Sequence, residues 1–144
     1  MSTIQNHRDL EAWQIAMDLT TETYRLTEVF PSKEMYGLQS QMRRAAVSVP
    51  SNIAEGQART TGAAINHLSI AGGSLAELDT QLEVAIRLKY LTVAAVSEFR
   101  RLHESSRRLV FGLRRSKRAQ LVGAAAKSAG VFLFVFYTFS RVLS

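Results

Sequence analysis

The chain is 144 residues long, 47% hydrophobic and 21% charged, with eight glycines, two prolines and no cysteine. That composition suits one compact domain with an unaided core, and it excludes a disordered or collagen-like chain, disulfides, thiolate metal sites, iron–sulfur clusters and a cysteine nucleophile. The formal net charge of +6 is uneven, because residues 1–96 hold eight Lys/Arg against ten Asp/Glu and residues 97–144 hold ten against two; a basic excess confined to the last third marks a polyanion partner or an anionic surface, or else a merely solvated face.

Met1 to Leu10 is polar, with no basic-then-apolar leader, and the lack of cysteine suits a reducing cytosol, so a cytoplasmic location is the expectation. From Asp9 to Phe30, Leu10, Trp13, Met17, Thr20, Tyr24 and Thr27 recur at spacings of three and four, which predicts one apolar helical face ending at Pro31. Ser32 is placed to cap a second helix, whose stripe is Met35, Leu38, Met42, Ala45, Val49 and Ile53. Pro50 inside that stripe predicts a kink or a split. Asn52 and Glu55 have the spacing of a capping box at which the helix would restart, and Gly56 predicts its end.

The third stripe, Leu68, Ala71, Leu75, Leu78, Leu82 and Ala85, is a coiled-coil-like seam. Gly72 and Gly73 interrupt it, and the reading for them is close approach of another helix backbone. Thr92 predicts the cap of a fourth helix, from Val93 to about Arg118, with Val96, Phe99, Leu102, Ser106, Leu109 and Leu113 on its apolar side. Four amphipathic helices on short links with no alternating strand pattern predict an all-α, up-down four-helix bundle over residues 1–118.

Residues 119–144 change character and hold the run Val131-Phe132-Leu133-Phe134-Val135-Phe136-Tyr137-Thr138-Phe139. Lys127 and Arg141 bracket an apolar stretch too short for the roughly 17–25 residues of a membrane span. The expected reading is a hydrophobic tail packed on the bundle or on a partner, with a membrane anchor or an aggregation-prone appendage as the alternatives.

No catalytic pattern stands out. His7, His67 and His103 fall on different predicted helices without a metal-ligand spacing, and are expected to be surface or cap residues. Glu77, Asp79 and Glu83 read as a solvated face, with Glu83 and Arg87 as an i, i+4 pair. Ala71-Gly72-Gly73-Ser74 is mid-helix, where no N–H groups are free to cradle a phosphate. No enzyme activity, cofactor or metal is expected. The pattern above background is on the fourth helix: Arg100-Arg101, Arg107-Arg108 and Arg114-Arg115 repeat every seven residues, followed by Lys117-Arg118. Seven residues turn a helix by about 700°, so the doublets align, roughly 150° from Leu102 and Leu109. With few acids nearby, this stripe reads as a surface for phosphate groups, with arginines paired to acids of a neighbouring subunit or a merely solvated face as the alternatives. Phe111 is its sole aromatic, so base readout is not indicated.

The middle of the chain carries a resemblance. Its residues are Asp9-Leu10 and Trp13; Phe30-Pro31 with Glu34; the run from Gln41 through Arg43, Arg44, Ser48, Pro50, Asn52 and Glu55 to Gly56; Ile70 to Leu78, with Gly73, Ser74 and Glu77; and Leu88-Lys89-Tyr90-Leu91. From about Asp9 to Arg115 these resemble the bacterial four-helix-bundle proteins known as 23S ribosomal RNA intervening-sequence proteins. The Ser-x-Pro-x-Asn-x-x-Glu-Gly run is the most specific part.

The resemblance implies a bundle that assembles as a ring-like homopentamer and has no catalytic activity. It also implies kinship with the accessory variability determinant of diversity-generating retroelements, a basic pentamer that binds nucleic acid and a reverse transcriptase. By position, Arg43 and Arg44 join the basic candidates, whereas Ser48, Pro50, Asn52, Glu55, Gly56, Gly73, Ser74 and Glu77 read as structural. Polar groups beside Pro50 are expected to satisfy the carbonyl it frees. The tail after Arg118 departs from the family's usual ending.

Together these readings predict a homo-oligomer that binds RNA or DNA through phosphate contacts. The alternative is a scaffold docking an acidic protein such as a reverse transcriptase.

Overall fold

The computed structural model describes residues 6–142, with side chains for residues 6–128. Four α-helices follow a short 3-10 turn at His7–Asp9: α1 (Glu11–Thr27), α2 (Leu38–Gln57), α3 (Thr61–Arg87) and α4 (Ser97–Val142), with a second 3-10 turn at Ser32–Glu34. Among the described residues there is no strand. Each helix packs on its neighbours in chain order and α4 closes back on α1, leaving α1 diagonal to α3 and α2 diagonal to α4. Leu10, Gly56, Ala64 and Leu113 meet at one end. At the other end, Phe30 packs on Tyr90 with ring centroids 5.5 Å apart, and the Tyr90 hydroxyl donates to Glu34 Oε1 at 3.0 Å. Successive helices therefore alternate in direction, as the short connections require.

The α1 face differs in part from the expected one, of which Leu10 and Thr27 are buried. Ala12, Ala16, Leu19, Thr23 and Leu26 are buried, whereas Met17 is 39% and Tyr24 41% exposed and Trp13 is half-buried. Both series satisfy a 3.6-residue period. The small alanines and threonines let α1 sit close to its neighbours, which turns the bulkier stripe outward along the α2 flank. Thr23 and Thr27 are tolerated inside because their hydroxyls donate to the carbonyls of Leu19 (2.7 Å) and Thr23 (2.9 Å).

The start of α2 is also made differently. Ser32 lies in the 3-10 turn, and it is Glu34 Oε2 that accepts from the Leu38 N–H at 2.9 Å. That bond first, and the Tyr90 hydroxyl second, hold the Glu34 carboxyl below the ordinary carboxylate range. A Cβ at Gly37 would stand 2.6 Å from the same oxygen, so glycine is what admits this cap. Met35, expected in the core, is 55% exposed because it precedes the helix.

Pro50 neither ends nor splits α2, which runs on to Gln57 with Pro50 buried. The carbonyl it leaves without a helical donor is that of Ala46. Thr20 Oγ1 of α1 lies 3.0 Å from that oxygen, so the donor comes from a neighbouring helix and not from Ser48 or Asn52. Asn52 does not restart a helix; its side-chain Nδ2 donates back to Ser48 O at 2.8 Å.

The α3 seam is buried at all six expected positions. The glycines behave otherwise than expected: a Cβ at Gly72 would meet only the Phe111 ring, at 3.4 Å, and one at Gly73 would meet nothing. The close backbone approach occurs at Gly56, where a Cβ would lie 3.3 Å from His67 Cβ and 3.4 Å from Ala64 O.

Thr92 Oγ1 accepts from the Ala95 N–H at 3.2 Å and caps the turn that leads into α4 at Ser97. Val96, Phe99, Leu102 and Ser106 are buried as expected, with Leu109 and Leu113 partly so, and Val110 completes the face. His103 is no surface residue. It is buried and donates from Nε2 to the Leu75 carbonyl of α3 at 2.8 Å.

From Arg118 to Ser128 every residue of α4 is exposed, so this stretch leaves the bundle instead of packing on it. The side chains of the Val131–Phe139 run lie outside the described residues. Among the described residues no helix is long and apolar enough to cross a membrane. Because burial on α4 stops before Arg118, a chain ending at Arg118 is expected to keep its helical bundle and its thermal transition. Loss of the cooperative melt on that truncation would make the tail part of the core.

Candidate nucleic-acid interface

Helix α4 has one side committed to the core through Phe99, Leu102, Ser106 and Val110. At 100° per residue, the opposite side must carry the arginine doublets. Arg100, Arg101, Arg107, Arg108, Arg115 and Arg118 are exposed, and Arg114 and Lys117 are partly covered. The stripe is thus a surface feature of the bundle, about 27 Å long from Arg100 to Arg118 at 1.5 Å per residue.

It is not free of acids, however. Glu98 makes a two-pronged pair with Arg101, at 2.9 Å to Nε and 2.6 Å to the terminal nitrogen. Glu104 does the same with Arg107, at 2.9 Å in both contacts. These hydrogen bonds hold the two carboxyls below their ordinary range and raise the two guanidinium groups in return. Both pairs have i, i+3 spacing, which was legible in the sequence. Among the described residues, Arg100, Arg108, Arg115 and Arg118 have no carboxylate within 4.0 Å.

Phe111 does not stand out from the stripe as a stacking platform. The Arg114 guanidinium lies 4.8 Å and that of Arg107 6.0 Å from its ring centroid, and the ring itself rests against Gly72. Its face is occupied by the protein's own cations.

Arg43 and Arg44 lie on α2, across the diagonal from α4, so the two basic sets do not form one surface. Arg43 is engaged within the fold: Nε donates to Thr27 Oγ1 at 2.8 Å, and its guanidinium lies 4.5 Å over the Tyr24 ring, tying α1 to α2. Arg44 is exposed. Both line an open groove of about 720 Å³ with Tyr24, Met35, Gln39 and Val47.

The motif residues assemble a polar seam between α2 and α3. Ser74 Oγ lies 2.8 Å from Ser48 Oγ, and Asn52 Nδ2 donates to Ser48. With its amide so oriented, Asn52 Oδ1 accepts from His67 Nδ1 at 3.1 Å, and His67 Nε2 stands 3.9 Å from Glu55, which also pairs with Arg59 at 3.1 Å. Ser48, Asn52 and Ser74 are therefore structural in the direct sense that they register two helices. Gly56 permits the close approach beside them. Gly73 and Glu77 are exposed; Glu77 lines the hollow beside Ser48 and Ser74, and its Oε1 accepts from Gln81 at 2.9 Å. His67, expected at the surface or in a cap, completes the seam instead; a histidine between two helices has no signature in spacing alone. Among the described residues no three His, Asp or Glu side chains gather where a metal ion would sit.

A family model described as 23S rRNA-intervening sequence protein matches residues 8–112, which covers most of the bundle and the first two arginine doublets. No curated protein matches the chain.

Proposed function

The chain belongs to the 23S rRNA-intervening sequence protein family, and from that premise we propose that it is a non-enzymatic, homo-oligomeric bundle that binds RNA or DNA through phosphate contacts on α4. The observation that carries this reading is the exposed row of guanidinium groups opposite the core face of α4, where Arg100, Arg108, Arg115 and Arg118 have no carboxylate within 4.0 Å among the described residues. Guanidinium groups meet phosphate oxygens in a fork geometry, and a rigid helix holds them in register without further ordering. The ring of five subunits follows the family resemblance. The outward stripe of Trp13, Met17 and Tyr24 gives α1 an apolar flank that another subunit would cover.

Random-sequence RNA, titrated against the parent and a variant with Arg100, Arg101, Arg107 and Arg108 all changed to Gln, tests the reading in a filter-binding assay at two salt concentrations. Glutamine keeps the helix propensity, so circular dichroism and sedimentation should be unchanged while affinity falls and its salt dependence flattens. A variant that binds as tightly as the parent at every salt concentration removes the phosphate reading, and a 16.0 kDa species at sedimentation equilibrium removes the oligomer. In the first case a docking scaffold takes its place. The groove beside Arg43 and Arg44, with Tyr24, Met35 and Val47 on its walls, favours an acidic protein as its partner.

A further inference from the structure

The doublets are equivalent in sequence but not in space. In each of the first two, one arginine is engaged: Arg101 by Glu98 and Arg107 by Glu104, each through two hydrogen bonds. The other member, Arg100 or Arg108, is exposed and has no carboxylate within 4.0 Å. Arg115 and Arg118 extend the unengaged set toward the end of the bundle, while Arg114 leans on Phe111. On a helical projection, Arg100, Arg108, Arg115 and Arg118 fall within about 80° of one another.

Glu104 lies inside that arc. It stands four residues after Arg100 and four before Arg108, about 6 Å from each along the axis. A carboxylate there repels a phosphate that tries to follow the stripe continuously. The backbone is then met at separated points instead of at every cation.

We propose that Glu98 and Glu104 withdraw Arg101 and Arg107, one on each flank of the arc, and that the open row of Arg100, Arg108, Arg115 and Arg118 is what meets the nucleic-acid backbone. This rests on the phosphate-binding reading and sharpens it by assigning the contacts. The two glutamates are positioning residues: they touch no ligand, and they set how many arginines are available to one.

The salt dependence of binding counts those contacts. With a slope of about −0.7 per phosphate on a single strand, four contacts give about −2.8, or roughly a 50-fold loss of affinity per subunit engaged between 50 and 200 mM salt. Glu98→Gln with Glu104→Gln releases two further arginines and steepens the slope to about −4.2, roughly a 300-fold loss over the same range. Arg100→Gln with Arg108→Gln halves the parent slope to about −1.4, whereas Arg101→Gln with Arg107→Gln keeps it between about −2.1 and −2.8, since the Glu104 this frees can take up one of Arg100 and Arg108. The two arginine pairs carry equal charge, so a difference between them reports the local arrangement and not the overall field. Glu104→Gln alone is the second variant, since it leaves the first turn of α4 intact and should give half the steepening.

The measurement is filter binding of a random single-stranded RNA by the full chain, with circular dichroism to verify helicity. Equal losses for the two arginine pairs, or glutamine variants with the parent's slope, overturn the division while the phosphate reading stands. A parent that binds no RNA at any salt concentration overturns both.

Discussion

Replacing Phe99 with alanine is expected to cost the bundle about 3–5 kcal/mol, a large share of the about 5–15 kcal/mol by which domains of this kind are stable. Phe99 is the largest side chain with no exposed surface, and it lies on the first turns of α4 where that helix meets α1 and α3. Its ring is stacked on His103, 6.0 Å between centroids and 8° from parallel, and His103 in turn donates to the Leu75 carbonyl of α3. Truncation therefore opens a cavity beside a buried polar bond and loosens the packing that excludes water from it. Urea titration followed by circular dichroism reads the change as a lowered midpoint. An unfolding free energy within about 1 kcal/mol of the parent's would mean that α4 closes over the gap, contrary to the tight packing at this position.

Thr20→Val is expected to destabilise by about 1–3 kcal/mol, and Pro50→Ala should abolish most of that cost. Valine keeps the shape of threonine and removes one hydroxyl. That hydroxyl lies 2.8 Å from Ala16 O and 3.0 Å from Ala46 O. The Ala16 oxygen already accepts the helical N–H of residue 20, whereas the Ala46 oxygen has lost its helical donor to Pro50 and sits in a residue with no exposed surface. The proton of Thr20 is therefore worth most at Ala46. Alanine at position 50 restores the missing N–H, and the need for Thr20 goes with the proline. A double-mutant cycle measured by denaturant unfolding isolates the coupling. Additive effects of the two substitutions would show that Ala46 O is satisfied in another way.

Much of the fold was legible without coordinates. The strict three-and-four spacing from Leu68 to Ala85 and the apolar series from Val96 to Leu113 specify buried faces, because large residues at helical spacing have no other favourable place. The orientation of α1 was not. Trp13, Met17 and Tyr24 make as good a stripe as Ala12, Ala16, Leu19 and Thr23, and hydrophobicity alone prefers the first. How closely two helices approach decides the matter, and that depends on residues of α2 and α4 far away in sequence.

The same division runs through the candidate site. The seven-residue repeat of arginine doublets, and its place opposite the core, follow from the sequence because a helix turns by a constant angle per residue. Glu98 with Arg101 and Glu104 with Arg107 also stand at readable spacings, so the partial neutralisation of the stripe was available in principle. What only the tertiary structure decided is that α2 and α4 lie across a diagonal, which parts Arg43 and Arg44 from the stripe, and that Arg43 is engaged by Thr27 and Tyr24. The donor to the carbonyl freed by Pro50 was likewise hidden, since Thr20 precedes it by a whole helix. Local geometry is periodic and can be read along the chain; a partner supplied by another helix depends on how the helices are arranged around the core, and that arrangement exists only once the chain has folded.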